Sequence, residues 1–158
     1  MEFKDIYNEY APKIFRFCLG YINDRDKAQD ITQETFLAVW QHLKDFRGDA
    51  GIGTWIFKIA SNKCLRLIDN EKRQQAILKN LPVDQSLMID ESNEEDALVQ
   101  LRNSIAQLPE TDRLIIGLYL EDIAQEKIAE IMGMSHTNIR VKIHRIKNLL
   151  TKQLNQHG

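Results

Sequence analysis

"KIAEIMGMSHTNIRVKIHRIKNLL", Lys127 to Leu150, decides how this chain is read. Apolar residues recur at three-to-four spacing on both sides of Gly133-Met134-Ser135, so two helices meet at a tight corner. A helix-turn-helix needs a small residue inside its first helix, a residue tolerant of positive φ in the turn, and an apolar residue on the second helix to lock the pair. Ala129, Gly133 and Ile139 fill those places in order. Glycine costs about 1 kcal/mol inside a helix and little just past its end, which puts the turn at Gly133. Ser135 is the expected cap of the second helix, and Ile139, Ile143, Ile146 and Leu150 are its expected buried stripe. The other face carries His136, Thr137, Asn138, Arg140, Val141, His144 and Arg145, donors suited to phosphates and major-groove base edges. Many helical hairpins also contain Gly and expose Lys and Arg. The spacing alone does not separate a DNA-reading corner from ordinary packing.

Charge adds the missing discrimination. The net charge is −2 over 158 residues, but it is unevenly laid out. From Lys58 to Lys79 there are six bases against Asp69 and Glu71. From Ile131 to Gly158 there are five bases and no acid. Between them Asp84, Asp90, Glu91, Glu94, Glu95 and Asp96 form a stretch with no base. Two basic surfaces separated by an acidic connector suit a polyanionic partner. The connector either screens those surfaces or only keeps a linker soluble.

Helical period runs through most of the chain, with three prolines and seven glycines as breakers, and no strand or repeat stands out. An all-α fold of two small domains is expected. Phe3 to Ile22 reads as one helical segment, bent or split by Pro12, and Asp24 to Phe46 as a second. "RGDAGIG" is a loop, and Thr54 is the expected N-cap of a third helix reaching about Lys79. Residues 1–80 make the first unit, 81–92 the linker, and 93–158 a four-helix unit. Ser92 with Glu95 has capping-box spacing, Pro109 suits a first helical position, and Asp122 with Gln125 is a looser capping pair. Cys18 and Cys64 sit in apolar helical patterns and read as buried small hydrophobes rather than a disulfide. No apolar run approaches the roughly 20 residues of a membrane span, and "MEFKDIYNEY" lacks the features of a signal peptide, so the cytoplasm is the expected location.

"LPETDRLIIGLYLEDIAQEKIAEIMGMSHTNIRVKIHRIKNLL" resembles region four of the extracytoplasmic-function sigma factors of bacterial RNA polymerase, members of the sigma-70 family. "DITQETFLAVWQHLKDFRGDAGIGTWIFKIASNKCLRLIDNEKRQ" resembles their region two. The resemblance implies a protein that binds RNA polymerase core and promoter DNA, helps open the duplex, and often answers to an anti-sigma factor. It implies core docking through Asp30, Gln33, Glu34, Leu37 and Trp40. Phe46, Arg47, Lys58, Asn62, Lys63 and Arg66 would hold the melted minus-ten strand, with Phe46 and Asn62 lining a pocket for a flipped base. Thr137, Asn138, Arg140, Val141, His144 and Arg145 would read the minus-thirty-five element. Read from the residues alone, Leu37 and Trp40 are as easily core, and Trp55 is mainly core. Three departures from the family pattern stand out. Gly53 precedes "TW" where a larger residue is commoner, implying a more mobile loop. Ala124-Gln125 replace the usual Ser-Tyr, and Val141 replaces a small polar residue and suggests a thymine-methyl contact.

A stand-alone helix-turn-helix regulator is the nearest rival, but the front half offers it no clear effector pocket or dimerisation helix. An enzyme is the more distant one. His42, His136, His144 and His157 make no metal-ligand spacing, and no GxSxG, P-loop or HExxH is present. No catalytic residue, metal or cofactor is expected.

Overall fold

The computed structural model describes residues 2–48, 51–77 and 96–156. Among them are seven α-helices, one 3₁₀ turn and no strand. The expected linker, the acidic connector up to Glu95, the Ser92–Glu95 capping pair and the end of the third helix near Lys79 lie outside the described residues.

Helix α1 spans Phe3–Ile22 and buries Ile6, Ile14, Phe17, Cys18 and Tyr21. Pro12 sits inside it without splitting it, so of the expected bend or split the split does not occur. Proline removes one backbone hydrogen bond, but the buried face continues on both sides of it, and that packing keeps the helix whole. Asn23 ends it at φ 60, its N–H donating to the Leu19 carbonyl at 2.8 Å. Helix α2 spans Arg25–His42, with Asp24 Oδ1 accepting from the Lys27 N–H at 3.1 Å. It stops short of Phe46, because Leu43–Asp45 tighten into the 3₁₀ turn. Thr32 and Thr35 are buried on its inner face, their hydroxyls donating to the carbonyls of Ala28 and Ile31 at 2.8 Å each. That bond satisfies the hydroxyls away from water.

Helix α3 spans Ile52–Ile77 and starts before Thr54, which is a buried residue of its first turn and not its cap. The reason lies in Gly53. A Cβ there would stand 3.0 Å from the Tyr10 hydroxyl and 3.1 Å from its ring. The glycine admits Tyr10 against the start of the helix, so it marks close packing and not the mobile loop expected from the sequence.

Four helices follow: α4 Asp96–Ala106, α5 Glu110–Leu120, α6 Gln125–Met132 and α7 His136–Gln156. Pro109 is the N-cap of α5, one residue earlier than expected. Asp122 does not cap α6; it lies in the turn at φ 61, and Ala124 takes the cap position without a side-chain bond. The last corner forms as the sequence implies. Gly133 sits at φ 65, the Met134 N–H reaches back to the Ala129 carbonyl at 3.0 Å, and Ser135 Oγ accepts from the Asn138 N–H at 3.1 Å. Ile139, Ile143, Ile146 and Leu150 are all buried.

The two groups of helices touch. Helix α1 packs on α4 and α5, and α3 on α6. Phe17 meets Phe57 edge-on at 5.6 Å, and a Cβ on Gly117 would stand 3.1 Å from the Phe17 ring. Arg113 donates to the Tyr21 carbonyl at 3.1 Å and lies over the Tyr21 ring, while Lys72 pairs with Glu110. Cys18 and Cys64 are free and buried, with sulfurs 3.8 Å apart. Contact with Cys18 and burial push the Cys64 thiol up, so it is un-ionised at neutral pH. Among the described residues no helix is long and apolar enough to cross a membrane.

Nothing lies within 4 Å of where a Cβ on Gly133 would be, so a substitution there strains only the backbone. Gly133→Ala is expected to destabilise the chain by about 1 kcal/mol, and Gly133→Asn by less, because Asn tolerates left-handed φ. Urea unfolding of the two variants checks the order.

Candidate nucleic-acid interface

Helix α7 presents its site residues as one face. With Ile139 and Ile143 fixed inward, Thr137, Asn138, Arg140, Val141, His144 and Arg145 are all exposed. Its first turn holds no acid, so its free amides face solvent beside basic side chains. His144 shares a hydrogen bond with Asn148 at 3.3 Å, which steadies the ring on that face. Two basic residues of the helix turn back instead. Lys142 pairs with Asp112 of α5 at 3.3 Å, and Lys147 donates to the Tyr119 hydroxyl at 3.1 Å. They brace the helix on its support, so net charge overstates the cations that α7 offers to a ligand.

The second site forms along α3. Trp55, Lys58, Asn62 and Arg66 follow at intervals of three or four and so share one face. Lys58, Asn62 and Arg66 are exposed. Phe46 comes to this face from the loop, its ring stacked on Trp55 at 4.9 Å with 22° between the planes. Trp55, expected mainly in the core, is half-buried and packs against it, and its ring also stacks on Phe46 at one end of the stripe. Its position in the Lys58–Asn62–Arg66 register was the signal that could have found it. Arg47 is exposed on the same loop. Lys63 is half-buried and turns toward α2, where it and Arg66 line a groove of about 290 Å³ with Asp30 and Glu34.

The outer face of α2 holds Asp30, Gln33, Glu34, Leu37 and Trp40, all exposed. The alternative of core packing fails for the two apolar members: Leu37 is 54% exposed and Trp40 63%. Two large apolar side chains one turn apart therefore stand on a solvated helix face. Among the described residues no group of His, Cys, Asp and Glu could hold a metal ion.

Residues 6–74 match the family model "Sigma-70 region 2", and residues 98–150 match "Sigma-70, region 4". The chain belongs to the sigma-70 family. Its relatives place it in the extracytoplasmic-function group. It is 29% identical to the ECF RNA polymerase sigma factor SigW of Bacillus subtilis, over 96% of this chain and 88% of that one. It is 26% identical to the RNA polymerase sigma-H factor of Pseudomonas aeruginosa, over 92% of this chain and 82% of that one. The same fold occurs in the sigma factor RpoE solved with the anti-sigma factor NepR from Bartonella quintana, with a TM-score of 0.81, 21% identity, and coverage of 97% and 96% of the two chains. It occurs again in CnrH solved with the cytosolic domain of CnrY, with a TM-score of 0.74, 20% identity, and coverage of 99% and 89%.

The region 4 helix α7 separates two kinds of basic residue. Arg140 lies in its second turn, whereas Lys152 lies about 18 Å further along at about 1.5 Å per residue. Arg140→Ala is expected to cost about 1–3 kcal/mol on a cognate duplex and to blur preference at one or two positions. Lys152→Ala is expected to weaken all duplexes evenly and flatten the salt slope slightly. Binding of both variants to a randomised duplex library at two salt concentrations checks this; an even loss for Arg140→Ala would remove its base-reading role.

Proposed function

We propose that this chain is a promoter-specificity subunit that recruits RNA polymerase core in the cytoplasm, reads two promoter elements and helps separate the strands. In this reading residues 1–80 form region 2, 81–92 the linker and 93–158 region 4. The observation that carries it is the exposure of Leu37 and Trp40 on α2. A regulator that acts alone on duplex DNA has no use for that face, whereas a subunit that must dock does. Asp30, Gln33 and Glu34 set polar contacts around this apolar pair, a central anchor with a polar rim.

Region 2 would act on the minus-ten element through the α3 stripe. The Phe46–Trp55 stack offers a π surface for an unpaired base, Asn62 an amide for its edge, and Arg47, Lys58, Lys63 and Arg66 positive charge for the backbone. Strands separate because extruded bases bind here and paired bases do not, so the open state is selected by differential binding. The subunit forms and breaks no covalent bond. Region 4 would read the minus-thirty-five element with Thr137, Asn138, Arg140, Val141, His144 and Arg145, the Val141 methyls suiting a thymine methyl. An anti-sigma factor is a further expected partner, because the sigma factor RpoE, of the same fold, was solved with the anti-sigma factor NepR.

Initiation by polymerase core on a library of random promoters, with and without the protein, tests the reading. Transcripts that start at defined sequences only when the protein is present are expected; their absence overturns it. Phe46→Ala and Asn62→Ala are expected to keep core binding and to lower open-complex formation. Unpairing a base costs a few kcal/mol, which the platform partly offsets, so a pre-melted bubble template should rescue both variants. Equal defects on bubble and duplex templates would place these residues elsewhere in the mechanism.

A further inference from the structure

Between region 2 and region 4 lies a cleft of about 590 Å³ that neither the duplex-reading nor the core-docking face uses. Region 2 contributes Lys13, Arg16 and the Gly51–Thr54 stretch where α3 begins, and region 4 contributes Glu121 and Asp122 from the α5–α6 turn. Arg16 Nε donates to Glu121 Oε1 at 3.2 Å and its Nη2 donates to Oε2 at 3.0 Å, a two-pronged bond across 105 residues of sequence. The Glu121 side chain is only 12% exposed.

This turn is locally unfavourable. Glu121 is the C-cap of α5, where the helix dipole disfavours a carboxylate, and no basic residue stands in the last turn. Asp122 beside it has a left-handed φ of 61. The bond to Arg16 compensates from the other unit. A carboxylate that grips a guanidinium with both oxygens presents the geometry of a phosphate. Arg16, on α1, moreover lines the cleft together with Gly51–Thr54, where α3 begins.

The arrangement also cannot be the reading state. The two promoter elements, by their positions, lie roughly 25 base pairs apart, about 85 Å at about 3.4 Å each. A compact body of this length has a radius of gyration of only about 15 Å. The units must part for both elements to be read.

We propose that Glu121 is an intramolecular stand-in for a DNA phosphate: it occupies Arg16 while the two units are closed, and Arg16 becomes a ligand of the single-stranded minus-ten region once region 4 leaves. The proposal rests on the sigma reading and adds both a strand-binding residue and the contact that masks it. Asp122 adds a second negative charge to the lining of the cleft, and Lys13, its Nζ over the Tyr10 ring of the same helix at 5.3 Å, adds a second cation beside Arg16.

The test uses the full chain without polymerase and a labelled 12-nucleotide oligothymidine, titrated from low to physiological salt by fluorescence anisotropy. Glu121→Gln keeps the shape of the side chain and removes the charge. It is expected to bind up to about five-fold more tightly than wild type at low salt. The double variant Glu121→Gln with Arg16→Gln is expected to lose most of that gain, with a salt slope shallower by about 0.7, the value of one phosphate on a single strand. Asp5→Asn, an equal change of charge on exposed α1 surface, is expected to leave binding unchanged. The proposal is overturned if Glu121→Gln binds no better than wild type, if the double variant keeps the gain and the slope, or if Asp5→Asn gives the same gain. Core-dependent initiation by the wild type keeps the two failures apart. If initiation is normal and the oligothymidine results are flat, only the masking contact is wrong; if initiation is absent, the sigma reading itself has failed.

Discussion

The ring of Phe17 fills the space between Phe57 of α3 and Gly117 of α5, so one side chain ties the core of the N-terminal helices to the C-terminal helices. Gly117 is what makes this possible. A glycine inside a helix gives up about 1 kcal/mol of helix propensity relative to Ala, and here it admits an aromatic ring that a Cβ would press at 3.1 Å. Around that ring the seam is polar. Arg16 meets Glu121, Lys72 meets Glu110, and Arg113 lies on Tyr21. The Tyr21 hydroxyl and Arg113 Nε are buried with no partner among the described residues. Burial also pushes the Tyr21 hydroxyl well above its ordinary pKa, so it stays neutral. Each unpartnered buried group costs roughly 1–3 kcal/mol. The seam therefore combines apolar packing, in which the Phe17 ring takes part, with buried polar atoms that have no partner among the described residues, whereas Leu114, Ile115, Ile128, Ile139 and Ile143 form an aliphatic interior.

That contrast fits the work assigned to the chain. Each working face lies on a long helix whose opposite stripe is fixed in a core: α2 by Ile31, Phe36 and Val39, α3 by Ile56, Phe57 and Ala60, and α7 by Ile139, Ile143 and Ile146. A helix pinned along one stripe holds the other to its geometry, which a recognition surface needs. The polar contacts of the seam, Arg16–Glu121, Lys72–Glu110 and Arg113–Tyr21, use no residue of the three faces. The units can change their relation while each keeps its own site intact.

What the sequence made legible follows the range of the interactions. The corner at Gly133 was fully readable because its requirements are local: a left-handed residue, a cap at Ser135 and a stripe at fixed spacing all fall within one short stretch. The α2 face was half readable, since helical period groups Asp30, Gln33, Glu34, Leu37 and Trp40 but cannot say that no other helix covers them. Exposure alone decides that, and it needs the whole fold. Contacts between distant segments were not readable. Gly53 looked like loop mobility because its partner, Tyr10, lies on another helix. The core packing of Trp55 was readable, but its stack with Phe46 was not, because Phe46 arrives from a loop. A split at Pro12 and a cap at Thr54 failed for a related reason: local propensity favoured both, and packing of Ile14, Phe17 and Ile56 overrode them.

The polarity of the seam sets a quantitative bound on how such a subunit can work. Polymerase core would have to capture the parted form, and its apparent affinity falls by the fraction of chain that is parted. A closed form favoured by about 3 kcal/mol weakens core binding by roughly a hundredfold, and one favoured by about 10 kcal/mol would forbid it at any cellular concentration. An aliphatic seam burying several side chains of the size of Phe17, at about 1.5–3 kcal/mol each, would approach the second case. Exposed ion pairs contribute only about 0–1 kcal/mol each, and buried polar atoms without a partner oppose closure, so this seam is held less firmly than an all-aliphatic one of the same size. The buried hydroxyl of Tyr21 and the acid at the end of α5 look like defects when stability alone is the measure. They are consistent with a contact that has to hold in the free chain and yield to a partner.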